Sequence, residues 1–251
     1  MFAEDEAALL AAEATDAGEL ERLASRRIAG EPLEYVLGWA EFAGLRLRVA
    51  PGVFVPRRRT ELLLELALRA ARGTPALRHA RFAPRLDARV VEVCCGVAPV
   101  ATALNVRMPE ASVIASDIDP DAVAVADDNL EPLGGEAVLG DLFDALPTGA
   151  RYDVIVANAP YVPSGEVVNM PREAREFEHP IALDGGVDGL ALHRRIAAEA
   201  GEWLAPEGTV LVETSRRQAP VDREVFERHG WRVEIVRDDE LDATAVRATR
   251  R

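Results

Sequence analysis

From residue 89 onward, short apolar runs alternate with helical patterns, and this rhythm constrains the fold more than any other feature of the chain. The runs at 89–94, 112–117, 136–140, 153–157 and 208–214 read as strands, and the stretches 99–107, 120–130, 188–203 and 217–228 read as helices. Parallel strands need crossover connections, and helices supply them. The spacing therefore predicts an α/β fold, a parallel sheet with helices on both faces. Two further strands, over Trp231–Arg237 and Thr244–Thr249, are expected to close the sheet as an antiparallel pair. Ligands of such sheets bind beyond the carboxyl ends of the strands, so the candidate functional residues are sought there.

The strand at 153–157 runs into Asn158-Ala159-Pro160-Tyr161. An amide side chain, a rigid turn and an aromatic ring can together hold a planar N–H group: the segment offers it hydrogen-bond acceptors, and the ring covers its flat face. The first strand ends in Glu92-Val93-Cys94-Cys95-Gly96-Val97-Ala98-Pro99. The single glycine, with Cys94 and Ala98 as small neighbours, is a weak signal for a cofactor turn; a tight strand-to-helix turn explains it as well. About twenty residues further on stands Asp117, where an acid commonly accepts both hydroxyls of a ribose. Ile118 follows it as a candidate wall of the same site. Asp119 is expected only to cap the helix that starts at Pro120. The third strand ends in Gly140-Asp141-Leu142-Phe143. There the Asp141 carboxylate can accept from an exocyclic amine while Leu142 and Phe143 lie near a ring.

Residues 1–50 predict two helices, over 5–14 and 18–29, and then a β-hairpin in which Phe42, Leu45, Leu47 and Val49 flank Gly44. The remainder, 51–251, is expected to form the main domain. Its first helix is predicted to follow Thr60 as N-cap, and residues 72–88 to form an exposed connection. Only two cysteines occur, Cys94 and Cys95, and they are adjacent; this excludes a disulfide framework and a zinc site built on cysteines. The four histidines, His79, His179, His193 and His229, show no ligand spacing, so no metal is expected. The net charge of −14 argues against nucleic-acid binding dominated by phosphate contacts. All 29 basic residues are arginine, which reads as compositional bias, and Arg57-Arg58-Arg59 reads as a solvated face or one local contact. No apolar run is long enough to cross a bilayer and the amino terminus is acidic, so a cytoplasmic protein with no membrane partner is expected.

Several separated segments carry a more specific resemblance. These are 30–38 (Gly-Glu-Pro-Leu-Glu-Tyr-Val-Leu-Gly), 51–57 (Pro-Gly-Val-Phe-Val-Pro-Arg), Thr60-Glu61, Asn158-Ala159-Pro160-Tyr161 and 182–190 (Ala-Leu-Asp-Gly-Gly-Val-Asp-Gly-Leu). In this order they resemble the HemK/PrmC-type class I S-adenosylmethionine-dependent methyltransferases, which methylate the side-chain amide of glutamine in protein release factors. The resemblance implies a Rossmann-like seven-stranded sheet. It implies that Glu92, Gly96, Asp117 and Asp141 line the cofactor site, with Cys94, Ala98, Ile118, Leu142 and Asn158 beside them. It also implies that Asn158 and the Ala159 carbonyl accept from the substrate amide, with Pro160 setting the turn and Tyr161 packing on the amide. The chain departs from the family pattern in several places. Ala159 replaces the first proline of Asn-Pro-Pro-Tyr, and Glu92, Cys94, Gly96 and Ala98 stand where an Asp and Gly-x-Gly-x-Gly are usual. His179 stands where a proline is common. The helical segment before the hairpin is short. Two other readings follow from these departures: methyl transfer to a small-molecule amide or amine, and a non-catalytic paralogue that no longer binds cofactor.

Overall fold

The computed structural model describes residues 3–73 and 88–251. Most of the predicted connection at 72–88 lies outside the described residues. Helices pack on both faces of one sheet, and buried side chains from sheet and helices form the core between them. Helices α1 (Ala3–Glu13), α2 (Ala17–Ile28) and the short α3 (Leu33–Leu37) precede a two-stranded hairpin, β1 (Trp39–Phe42) and β2 (Leu45–Arg48). Periodicity predicts no helix at 33–37. Pro32 stands before it and Gly38, at φ 79°, ends it, so five residues form one turn too short for periodicity to register.

Helix α4 (Glu61–Arg72) then leads to strands β3 (Arg89–Val93), β4 (Ser112–Asp117), β5 (Glu136–Leu139) and β6 (Tyr152–Ala157). Helices α5 (Pro99–Arg107) and α6 (Pro120–Leu130) cross between the first three. The short α7 (Arg172–Phe177) and then α8 (Ala191–Trp203) connect β6 to β7 (Leu204–Glu213), and α9 (Ala219–Arg228) precedes β8 (Trp231–Asp238) and β9 (Ala243–Arg250). The seven strands lie in the order β5-β4-β3-β6-β7-β9-β8. Five are parallel, and β9 inserts antiparallel between β7 and β8. This is the Rossmann-like arrangement that the alternation predicted, including the antiparallel closing pair.

Each face of the sheet has its own core. Leu62, Leu63, Leu66 and Ala67 of α4 join Val100 and Leu104 of α5 on one face; Ile196 and Ala200 of α8 join Val225 and Phe226 of α9 on the other. Strand β6 is buried at all six positions, which is why it reads as a continuous apolar run rather than an alternating one. Order reverses between β3 and β6, since β3 continues to β4 on one side while β6 continues to β7 on the other. A crevice opens beyond the carboxyl ends of strands at such a point. Among the described residues no helix is long and apolar enough to cross a membrane.

Candidate active site

The loops after β3, β4, β5 and β6 meet in one cavity of about 560 Å³, lined among others by Cys94, Gly96, Asp117, Ile118, Asp141, Leu142, Asn158, Ala159, Pro160 and Tyr161. The volume falls within the range of small-molecule and cofactor sites. Four segments separated in sequence thus converge at the switch point of the sheet.

The turn after β3 is strained. Cys94, Gly96 and Ala98 all take left-handed backbone, at φ 52°, 54° and 56°. Glycine adopts this freely, whereas a residue with a Cβ loses about 1–2 kcal/mol there. The turn therefore keeps a glycine-type backbone at two positions that carry side chains. Its Gly96 N–H donates to Asp117 Oδ2 at 2.8 Å, and Asp119 N–H donates to Asp117 Oδ1 at 3.0 Å. A carboxylate has about four acceptor sites, so Asp117 keeps capacity for hydroxyl donors in the cavity. Burial raises the Asp117 carboxyl above its ordinary range, partly offset by these backbone donors. Burial, joined by the charges of Asp117 and Asp141, also pushes the Cys94 thiol up, which favours its protonated form.

Glu92 and Ala98 lie outside the lining of the cavity. The Glu92 carboxylate, 2% exposed, turns toward the start of α5, where Ala101 N–H donates to it at 2.6 Å and Val100 N–H at 3.4 Å. Ala98 precedes this helix and offers no side-chain cap, so Glu92 supplies from the strand the acceptor that the local sequence lacks. Desolvation lifts the Glu92 carboxyl to about 8, against the lowering effect of those two N–H groups. Ala98 is wholly buried among core residues. Asp119 caps α6, as the sequence suggested, accepting from Asp121 N–H at 3.0 Å. Its other oxygen meets His179 Nδ1 at 2.6 Å, a pairing across sixty residues that spacing along the chain could not show.

Thr60 does not cap α4. It sits in a 3₁₀ turn, Arg58–Thr60, with helical backbone angles, and its hydroxyl donates instead to Glu213 Oε2 at 2.7 Å. Around that carboxylate gather Arg59 Nε at 3.0 Å and the Tyr161 hydroxyl at 3.3 Å, while Asn158 Nδ2 donates to Thr60 Oγ1 at 3.3 Å. Burial and the neighbouring Glu213 charge push the Tyr161 phenol well up, so it remains protonated. The Arg59 guanidinium lies 5.8 Å from the centre of the Tyr161 ring. The run Arg57-Arg58-Arg59 reads as a solvated face or one local contact, and Arg59 makes such a contact with Glu213, which closes an apolar strand without a motif of its own.

The exit of the tetrapeptide is braced by the segment 182–190. Val162 bridges to Asp184, Gly185 N–H donates to Val162 O at 2.8 Å, and Gln218 Nε2 donates to Tyr161 O at 2.8 Å. Gly185 and Gly189 approach so closely that a Cβ on either would fall 2.6 Å from Pro160 O or 2.2 Å from Tyr161 O.

A family model for the methyltransferase small domain matches residues 71–175. The release factor glutamine methyltransferase of Geobacter sulfurreducens is 39% identical over 211 residues, spanning 83% of this chain and 69% of that protein. The enzyme of the same description from Bordetella pertussis is 38% identical over 213 residues, spanning 84% and 74%. The chain belongs to the release factor glutamine methyltransferase family. Solved structures share the fold of this family member at lower identity. A methyltransferase from Pyrococcus furiosus superposes with a TM-score of 0.58 at 15% identity, covering 93% of this chain and 98% of its own. A T. thermophilus 16S rRNA methyltransferase, solved with AdoMet and guanosine, gives 0.54 at 21%, covering 85% and 50%. As a methyltransferase, the family member carries its Asn-Ala-Pro-Tyr segment in the same cavity as the loops after β3, β4 and β5.

Proposed function

We propose that this protein transfers a methyl group from S-adenosylmethionine to the side-chain amide nitrogen of a glutamine in a peptide chain release factor. The observation that carries the reading is the shared cavity: Asn158, Ala159, Pro160 and Tyr161 face the same space as Gly96, Asp117 and Asp141. The cavity is of suitable size, and Asp117 and Asp141 offer acceptors for the hydroxyls and amine of an adenosine group. Gly96 and Cys94 line the same turn, and Ile118 and Leu142 add apolar surface for a flat ring. S-adenosylmethionine would supply the methyl group as an electrophilic carbon bound to a sulfonium: its carbon–sulfur bond breaks as the carbon–nitrogen bond forms, S-adenosylhomocysteine leaves, and the amide nitrogen releases one N–H proton to solvent.

The protein's part is to prepare a poor nucleophile. A carboxamide nitrogen delocalises its lone pair into the carbonyl. Two acceptors, Asn158 Oδ1 and the Ala159 carbonyl, would hold both N–H groups and favour positive charge as it develops on nitrogen. Tyr161 would pack against the amide plane. Positioning and fixed dipoles of this kind supply much of the acceleration of a group transfer. The residue before Pro160 is restricted to extended backbone, so the Ala159 carbonyl keeps a defined direction without a proline of its own.

The test is incubation of the purified protein with methyl-labelled S-adenosylmethionine and a purified release factor, followed by peptide mass analysis. Label on one glutamine amide is expected. Absence of label, with a folded protein that binds S-adenosylhomocysteine, would overturn the substrate; absence of that binding would overturn the cofactor.

A further inference from the structure

Glu213 closes strand β7 with its carboxylate 2% exposed, and Thr60 beside it is 1% exposed. The carboxylate accepts from three groups: Arg59 Nε at 3.0 Å, the Tyr161 hydroxyl at 3.3 Å and the Thr60 hydroxyl at 2.7 Å. All three neighbours donate, the permanently charged Arg59 guanidinium among them, and the carboxylate serves them as acceptor. A hydroxyl has one proton. Thr60 commits that proton to Glu213 and can offer only lone pairs to its other neighbour, Asn158. An amide side chain can present either its NH₂ or its oxygen to a neighbour, and the two ends are nearly equal in shape. Here only the NH₂ end satisfies Thr60, and Asn158 Nδ2 stands 3.3 Å from Oγ1. Oδ1 is then the end left to the cavity that Asn158 lines.

We propose that Glu213 and Thr60 are positioning residues that set the hydrogen-bond polarity of Asn158, so that the cavity receives an acceptor and selects a nucleophile bearing N–H. The same carboxylate holds the Tyr161 hydroxyl, so one buried group orients both side chains proposed to grip the substrate amide. This inference rests on the proposed amide methylation for its consequence, but the orientation of Asn158 can be read without turnover. Reversing the polarity of Glu213 should propagate. In Glu213→Gln the new amide can donate to Thr60 Oγ1, which frees the hydroxyl proton to point at Asn158 and favours the flipped amide.

The experiment compares the wild type with Glu213→Gln, Thr60→Val and Thr60→Ser. In Glu213→Gln and Thr60→Val, kcat should fall roughly 10–100-fold, the loss of about one charge-assisted hydrogen bond. KM for the release factor and the dissociation constant for S-adenosylhomocysteine should change less than about threefold. Thr60→Ser, which keeps the hydroxyl, should restore most of kcat. Independently of activity, the Asn158 side-chain ¹H–¹⁵N resonances should move in Glu213→Gln and Thr60→Val and stay near their wild-type positions in Thr60→Ser. Unmoved resonances in both changed variants, or full kcat in either, would overturn the proposal. Should Glu213→Gln fail to fold, the isosteric Thr60→Val gives the same answer. A wild type that methylates nothing removes the proposed reaction but leaves the resonances to decide the orientation.

Discussion

Arg195 Nη1 lies 2.8 Å from one oxygen of Asp141 and 2.9 Å from the other, so the acid just beyond β5 is already held by a cation from α8. Both side chains line the cavity and are about two-fifths exposed, at 39% and 41%. One guanidinium nitrogen uses only part of the carboxylate's acceptor capacity, and Asp141 can still accept from an adenine amine. The pair is half in solvent, so its own contribution is small, roughly 0.2–1 kcal/mol. Replacing Arg195 by Ala is therefore expected to weaken S-adenosylhomocysteine binding by no more than about fivefold. Asp141→Ala, which removes the acceptor itself, is expected to weaken it by about tenfold or more. Titration calorimetry on the two variants checks the order; a larger loss from Arg195→Ala would remove Asp141 from the adenine site.

Asn158→Ala removes one of two acceptors proposed for the substrate amide. Deleting a single such group at a reacting centre lowers kcat by roughly 10²–10³-fold in comparable sites. The expected result is loss of methyl transfer of that order, with S-adenosylhomocysteine affinity within a few-fold of wild type. Single-turnover transfer together with calorimetry separates the two effects. Unchanged turnover would exclude the role given to Asn158.

The sheet was legible because its central strands β3 and β6 are buried apolar runs and α5 and α6 carry helical patterns, and the bounds of β4, α5 and α6 fall where the spacing predicts them. Helix α8 starts at Ala191 rather than 188. Gly189 turns the chain at φ 77° and Asp188 Oδ1 accepts from Leu190 N–H, features of a loop that periodicity does not report. The candidate site was legible where a motif sits directly on a strand end, as with Asp117, Asp141 and Asn158. It was not legible where a role depends on partners from distant segments. Glu92 looked like a cavity acid but closes a helix, Thr60 looked like a cap but meets a strand residue 153 positions away, and Glu213 carried no local signal.

The brace behind the tetrapeptide should be sensitive to a single methyl group. At Gly189 a Cβ would fall 2.2 Å from Tyr161 O and 2.5 Å from Gln218 Nε2, on backbone at φ 77°. Backbone atoms cannot yield as a flexible side chain could, so Gly189→Ala combines a clash with left-handed strain. A cost of about 2–4 kcal/mol is expected. At roughly 2–4 °C per kcal/mol for a chain of this size, the melting temperature should fall by on the order of 5–15 °C. Gly149→Ala is the control: it has a similar φ of 79° with nothing within 4 Å of the added atom, and it should cost only the backbone strain. Equal melting temperatures for the two variants would show that close approach at Tyr161 O contributes nothing.

The last expectation concerns pH. Burial lifts the Glu92 carboxyl from its ordinary 4.5 to about 8, despite the two helix N–H groups it accepts from. Between those values the folded protein holds a proton that the unfolded chain has released. Stability linked to Glu92 is then complete below about 4.5, declines as pH rises, and is fully lost above about 8. Glu92→Gln removes the titration while keeping an oxygen that can accept from Ala101 N–H. Denaturant unfolding measured from pH 5 to 9 should therefore show a smaller loss of stability for Glu92→Gln than for the wild type. The difference between them should build up mainly below pH 8. Parallel pH curves for the two proteins would mean that Glu92 is ionised throughout, with the start of α5 rather than burial governing its charge.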